Sequence, residues 1–191
     1  MSKPTRHLSG EAKYIAFADL LHGAGSLLLT AAAAPEGSAY CRWSSVIFSA
    51  FAVEAALNHI GQNALPNWDK PRMSVWKKLE SLEKYFGFKA DRTVPPFNAI
   101  EELFRARDLP AHGKTTTETI EGEFDEHWDA LDPEWRRRFS APAYAQGVYD
   151  DTRAMIRSLL DNCGLQDTTL EMTGEAFLID GGPAPHPPTP P

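Results

Sequence analysis

The stretch Ala39–Ile60, AYCRWSSVIFSAFAVEAALNHI, decides the fold. Its apolar side chains point in nearly every direction around a helical repeat: Trp43, Val46, Ile47, Phe48, Phe51, Val53, Leu57 and Ile60. A surface helix carries a single apolar stripe, whereas one that is apolar all round is buried. The pattern predicts a central helix from about Ser38 to Gln62, closed by Gly61 and Pro66. Within it, Glu54 and Asn58 stand four residues apart and so share a face. A carboxylate on such a helix is costly unless a cation or a proton neutralises it. Glu54 therefore either anchors a cation inside the structure or supports a site.

Working outward, Ser9-Gly-Glu-Ala reads as the opening of a first helix to about Ala34, with Tyr14, Phe17, Leu20, Leu21, Leu27 and Leu28 near helical spacing. Pro35-Glu-Gly-Ser interrupts it. Downstream, Ser74-Val-Trp-Lys-Lys-Leu-Glu begins an amphipathic helix to Phe86, stopped by Gly87. Pro95-Pro96 launches PFNAIEELFRARD, and Pro110 is expected to break that helix, because proline offers no N–H and its predecessor avoids the α region. Thr115–Phe124 alternates weakly and suggests a short strand. A last helix spans about Pro142–Cys163, with Gly164 as its C-cap.

Five helices with short connections and scarcely any strand signal predict an all-α, antiparallel four- to five-helix bundle over residues 1–164. Residues 165–180 read as an extended arm. Residues 181–191, GGPAPHPPTPP, carry six prolines and read as a disordered, polyproline-prone tail.

Composition agrees with one globular domain: of 191 residues, 42% are hydrophobic and 24% charged, which excludes collagenous and wholly disordered chains. Two cysteines, Cys41 and Cys163, make no disulfide framework and read as small buried hydrophobes in a reducing compartment. The absence of an apolar leader or an 18-residue uninterrupted apolar run gives the expectation of a soluble cytoplasmic protein that makes no use of a membrane. The net charge of −7 argues against nucleic acid, but it is unevenly spread. Thr115–Glu134 holds eight acidic residues and Leu165–Pro191 four more, neither with any Lys or Arg. Without them, 14 acidic side chains face 19 basic ones, so the body is cationic.

That cationic body contains Arg105-Ala-Arg107-Asp108-Leu-Pro-Ala-His112-Gly-Lys114. Arg107 can clamp a phosphate bidentately. His112 is suited to move protons near neutral pH. Lys114 and Arg105 add charge, and Asp108, four residues before His112, can hold the imidazole tautomer. Phosphodiester cleavage needs these parts: a base for a 2′-hydroxyl and cations for charge developing on phosphorus. The same residues also suit a helix C-terminus that merely complements its dipole. The histidines show no paired metal-ligand spacing and no Cys-x-x-Cys exists, so neither a metal nor a cofactor is expected. Arg136-Arg-Arg138 reads as solvated or intramolecular counter-charge in preference to a contact with RNA phosphates, and Trp43, Trp76, Trp128 and Trp135 as core or interface anchors.

Arg107-Asp108-Leu-Pro-Ala-His112, about fifty residues after a helix carrying Ser49, Ala50, Glu54 and Asn58, resembles the HEPN superfamily and its R-x(4–6)-H motif. The resemblance covers roughly Glu11–Gly164 and implies a helical bundle that acts as a homodimer, the two motifs facing across the interface. It implies a metal-independent endoribonuclease of toxin–antitoxin, abortive-infection or RNA-processing type, with RNA as substrate and an antitoxin protein as possible partner. His112 would activate the 2′-hydroxyl or protonate the leaving group, Arg107 would stabilise the phosphorane-like transition state, and Asp108 would orient the site. The implied products are a 2′,3′-cyclic phosphate and a 5′-hydroxyl, and Glu54 and Asn58 would tie the motif to the core helix. Other members of the superfamily are catalytically silent and bind nucleotides or proteins. The rival expectation is therefore a module for dimerisation or partner binding.

Overall fold

The structure, a computed structural model, describes residues 11–68, 73–115, 117, 133–165 and 177–180. Among the described residues are six α-helices: α1 (Ala16–Ala33), α2 (Ser38–Ala64), α3 (Val75–Phe86), α4 (Ile100–His112), α5 (Glu134–Phe139) and α6 (Pro142–Asn162). A two-stranded antiparallel ribbon joins β1 (Glu11–Tyr14) to β2 (Phe177–Asp180), with Glu11 opposite Asp180 and Tyr14 opposite Phe177. The fold class is all-α and the helices pack as a bundle.

α2 is the axis, packing against α1, α3, α4, α5 and α6. Val46, Ala50, Ala52, Val53, Ala56, Leu57 and Ile60 are fully buried along it. Removing a large aliphatic side chain from water stabilises by about 1.5–3 kcal/mol, so this row holds the bundle together. Small residues let α1 approach closely. A Cβ added at Gly23 would stand 2.9 Å from the Phe48 ring, and the buried Ser45 hydroxyl donates to the Ala24 carbonyl at 2.9 Å.

Several boundaries differ from expectation, each for a physical reason. The first helix begins at Ala16, not Ser9, because Glu11–Tyr14 pairs with β2, a partner distant in sequence. α2 runs through Gly61 to Ala64. Gly61 is there because Trp68 lies flat on it: an added Cβ would fall 2.2 Å from the indole. Gly61→Ala should therefore cost about 2–3 kcal/mol in urea unfolding, the size typical of overpacking a rigid contact; an unchanged midpoint would show that the indole moves freely.

Pro110 does not end α4, which continues to His112. The backbone bond that proline forfeits would have been to Ala106, in the last turn, where a helix is already losing its regular pairing. Pro95-Pro96 leads first into a 3-10 turn, Phe97–Ala99, and then into α4. α5 was not expected as a helix. Of its arginines, Arg138 serves as internal counter-charge, meeting Glu102 at 2.5 Å, and Arg136 lies over the Tyr40 ring at 4.5 Å. Trp135 of the same helix packs on Trp43 with ring centroids 5.5 Å apart.

α6 ends as anticipated. Gly164, at φ +66°, lets Leu165 N–H reach the Leu160 carbonyl and its own N–H reach that of Asp161, the double closure that a left-handed glycine permits. Cys41 and Cys163 are free thiols, and burial pushes the Cys163 thiol up to about 11. The short strand expected in Thr115–Phe124, most of the acidic segment, Trp128 and the Pro-rich tail lie outside the described residues.

Candidate functional site

The site assembles where α2, α3 and α4 meet. α3 is amphipathic, and its inward positions are Val75, Lys78, Leu79 and Leu82. The helical spacing that buries the three apolar residues therefore carries Lys78 inward as well. Its ammonium meets Glu54 Oε1 at 2.7 Å. The other oxygen of the same carboxylate, Oε2, accepts from Arg107 Nη1 at 2.6 Å. One carboxylate thus joins a cation from each neighbouring helix, which answers the requirement set by placing Glu54 on an apolar rod.

Arg107 is held further. Its Nε donates to Asp108 Oδ1 at 2.8 Å and its Nη2 stands 2.7 Å from the same oxygen. The guanidinium also lies over the Phe104 ring, 4.6 Å from its centroid. All three guanidinium nitrogens therefore have carboxylate partners, and two cations and two anions alternate as Lys78–Glu54–Arg107–Asp108. The two ends of the chain differ in exposure: the side chain of Lys78 is 11% exposed and that of Asp108 48%, with Glu54 and Arg107 between them at 30% and 21%. The Lys78 end is anchored in the bundle, while the Asp108 end faces solvent.

The other expected residues fall differently. Asn58 does not reach the motif; its Oδ1 accepts from the Trp68 indole N–H at 3.3 Å. That bond fixes the ring lying on Gly61. Asp108 pairs with Arg107, not with the His112 imidazole, which makes no hydrogen bond or ion pair among the described residues. Arg105, His112 and Lys114 are exposed. Arg105 stands about 200° around α4 from Arg107, and His112 about 140°, so both leave the helix on other faces than Arg107. Ser49 is fully buried, and its hydroxyl has no partner among the described residues.

Lys78 was not among the expected site residues. The signal for it was present, since a lysine at a core-facing position of an amphipathic helix demands a buried anion. A second cluster forms at the other end of α4. There Glu102 holds Arg138, and burial and the Glu102 charge push the Tyr144 hydroxyl up to about 12.

Compared with known proteins, the chain matches no family model, no curated protein and no solved structure. What fold and geometry define is an all-α helical bundle with a four-residue ion network joining three of its helices.

Proposed function

We propose that the chain is a HEPN-like, metal-independent endoribonuclease that works as a homodimer, cleaving RNA by attack of its 2′-hydroxyl in a defence, toxin–antitoxin or stress setting. The observation that carries the reading is the Arg107 guanidinium, tethered by Glu54 in the second half of α4, with an exposed His112, unpaired among the described residues, about one turn and a half further on. In this role Arg107 stabilises charge on phosphorus and His112 moves the proton. Lys114 and Arg105 draw in the RNA backbone. Glu54 and Lys78 position Arg107.

Dimerisation has two supports. The Cα positions of Arg107 and His112 leave α4 about 140° apart, and a second copy is one way to bring both groups to one phosphate. An apolar face also borders the network: Phe48 and Phe51 are 37% and 41% exposed on α2, and Phe51 lies one turn before Glu54. Phe48 rests on Gly23 of α1, a helix whose 18 residues have a mean hydropathy of 1.3 with 28% of them buried. By length and composition that helix could also cross a membrane; here the same surface is read as the dimer face.

The test is cleavage of single-stranded RNA in the presence of a chelator, with a 2′-deoxy substitution at the scissile nucleotide. Cleavage that yields a 2′,3′-cyclic phosphate and stops on 2′-deoxy substitution supports the reading. RNA left intact at several salt concentrations sinks it. The competing module reading draws on Arg107 being fully paired by carboxylates, as a structural ion pair would be, and intact RNA together with a stable dimer would favour it.

Asp108 is decisive for affinity. Neighbouring residues on a helix do not face each other, so Arg107 must fold back to reach Asp108, and exposed pairs of this kind contribute at most about 1 kcal/mol. Phosphate competes for the same guanidinium edge. Asp108→Asn should strengthen RNA binding by about two- to fivefold at low salt, with the gain shrinking as salt rises. Fluorescence anisotropy in a His112→Ala background measures it; weaker binding would show that Asp108 orients the site instead.

A further inference from the structure

Beyond the ion network, α3 and the turn after α2 enclose an open cavity of about 510 Å³. Leu65, Pro66, Trp68 and Met73 form its apolar side, and Lys84 and Tyr85 its other edge. Sites for small molecules commonly span about 300–1,000 Å³, apolar with a few polar groups, so the cavity can hold a nucleotide-sized ligand. The apolar wall is rigid: the Trp68 ring is fixed below by Gly61 and at its N–H by Asn58. The far edge is available. Tyr85 is 56% exposed, its ring braced edge-on by Phe86 at 4.9 Å. Lys84 is exposed, and its ammonium makes no ion pair among the described residues.

We propose that this cavity is a nucleotide subsite, in which a base stacks on Tyr85 against the apolar wall and its phosphate pairs with Lys84. An aromatic face beside an ammonium is the pairing that proteins use for single-stranded nucleic acid, because every base offers a π-face and every nucleotide a phosphate. An aliphatic ligand would leave Lys84 unused, and a simple anion would leave the apolar wall unused. The subsite and the network are built on the same two elements, α3 and the C-terminal part of α2. Lys78 and Tyr85 are seven residues apart on α3, about 10 Å along the helix, and Trp68 is tied to Asn58, one turn beyond Glu54 on α2. The proposal rests on the RNA reading for its place in function: the subsite would hold a nucleotide flanking the one at Arg107.

The test is calorimetric titration of the full chain with adenosine 5′-monophosphate, with adenosine and inorganic phosphate as separate arms. The subsite predicts saturable binding of the monophosphate, weaker binding of adenosine, and no displacement of the monophosphate by equimolar inorganic phosphate. Tyr85→Ala should weaken binding about five- to tenfold. Lys84→Ala should weaken it about fivefold at low salt, with little effect at high salt. Both residues are exposed, so circular dichroism should show unchanged folding. Wild-type affinity in both variants, or no saturable binding by wild type, overturns the proposal. O-phosphotyrosine binding as tightly as the nucleotide also overturns it, since the site would then read any phosphorylated ring. Arg107→Ala should leave monophosphate binding intact. Binding with no RNA cleavage would keep the subsite and remove the nuclease, and cleavage without monophosphate binding would do the reverse.

Discussion

Arg107→Ala and His112→Ala should each abolish RNA cleavage under conditions where the wild type cuts, but their effects on stability should differ. A positioned acid or base contributes about 10²–10⁴-fold in rate, and a cation aimed at developing charge about 10²–10³-fold. His112 is exposed and unpaired among the described residues, so its removal should change stability by less than about 0.5 kcal/mol. Arg107 is half-buried and shares Glu54 with Lys78. Removing it leaves Glu54 with one partner, and a loss of about 1–2 kcal/mol is expected. Activity lost with stability intact in His112→Ala separates a chemical role from a structural one. If His112→Ala cleaves RNA as fast as wild type, His112 takes no part in the chemistry.

Glu54→Ala should have the largest effect on the fold. Glu54 is the only carboxylate among the described residues that pairs with Lys78, which is almost fully enclosed. Arg107 retains Asp108 when Glu54 is lost, whereas Lys78 retains no carboxylate among the described residues. Stranding a buried cation costs about 3–5 kcal/mol, and the 30% exposure of the carboxylate places the expected loss near the lower bound. Urea unfolding measures it, and the double variant Glu54→Ala/Lys78→Met should recover much of the loss by removing the stranded charge. A single-variant change under about 0.5 kcal/mol would mean that Lys78 swings out to water. A pair that recovers nothing would place the cost at Arg107 instead.

The features legible in the sequence were those set by nearby residues. The apolar surround of Ala39–Ile60 marked the buried axis, and Gly87 and Gly164 marked helix ends, because each signal depends on local backbone or side-chain geometry. Glu54 stood out for the same reason, and Arg107 does lie against it. Features set by distant partners were not legible. Nothing near Glu11 announces a strand, since its partner is Asp180. Asn58 shares a face with Glu54, yet its amide is taken by Trp68, a residue beyond the helix end. Pro110 obeys a local rule whose cost is small in a last turn, so the helix overrode it. Lys78 was readable but masked by Lys77, since two adjacent lysines suggest a solvated face until the period of Val75, Leu79 and Leu82 separates them.

The ribbon has a kinetic consequence. Its four-residue strands come from opposite ends of the described chain, and closing so long a loop carries a larger entropic cost than any helix–helix contact here. A lone pair of short strands is marginal in water. The ribbon should therefore form last during folding and open first at equilibrium. Amides of Ala12 and Lys13 should exchange with solvent far sooner than those of Val53 and Leu57, while the bundle stays closed. The two strands act as a latch laid over a finished structure, and the bundle should fold and hold its ion network with the latch undone.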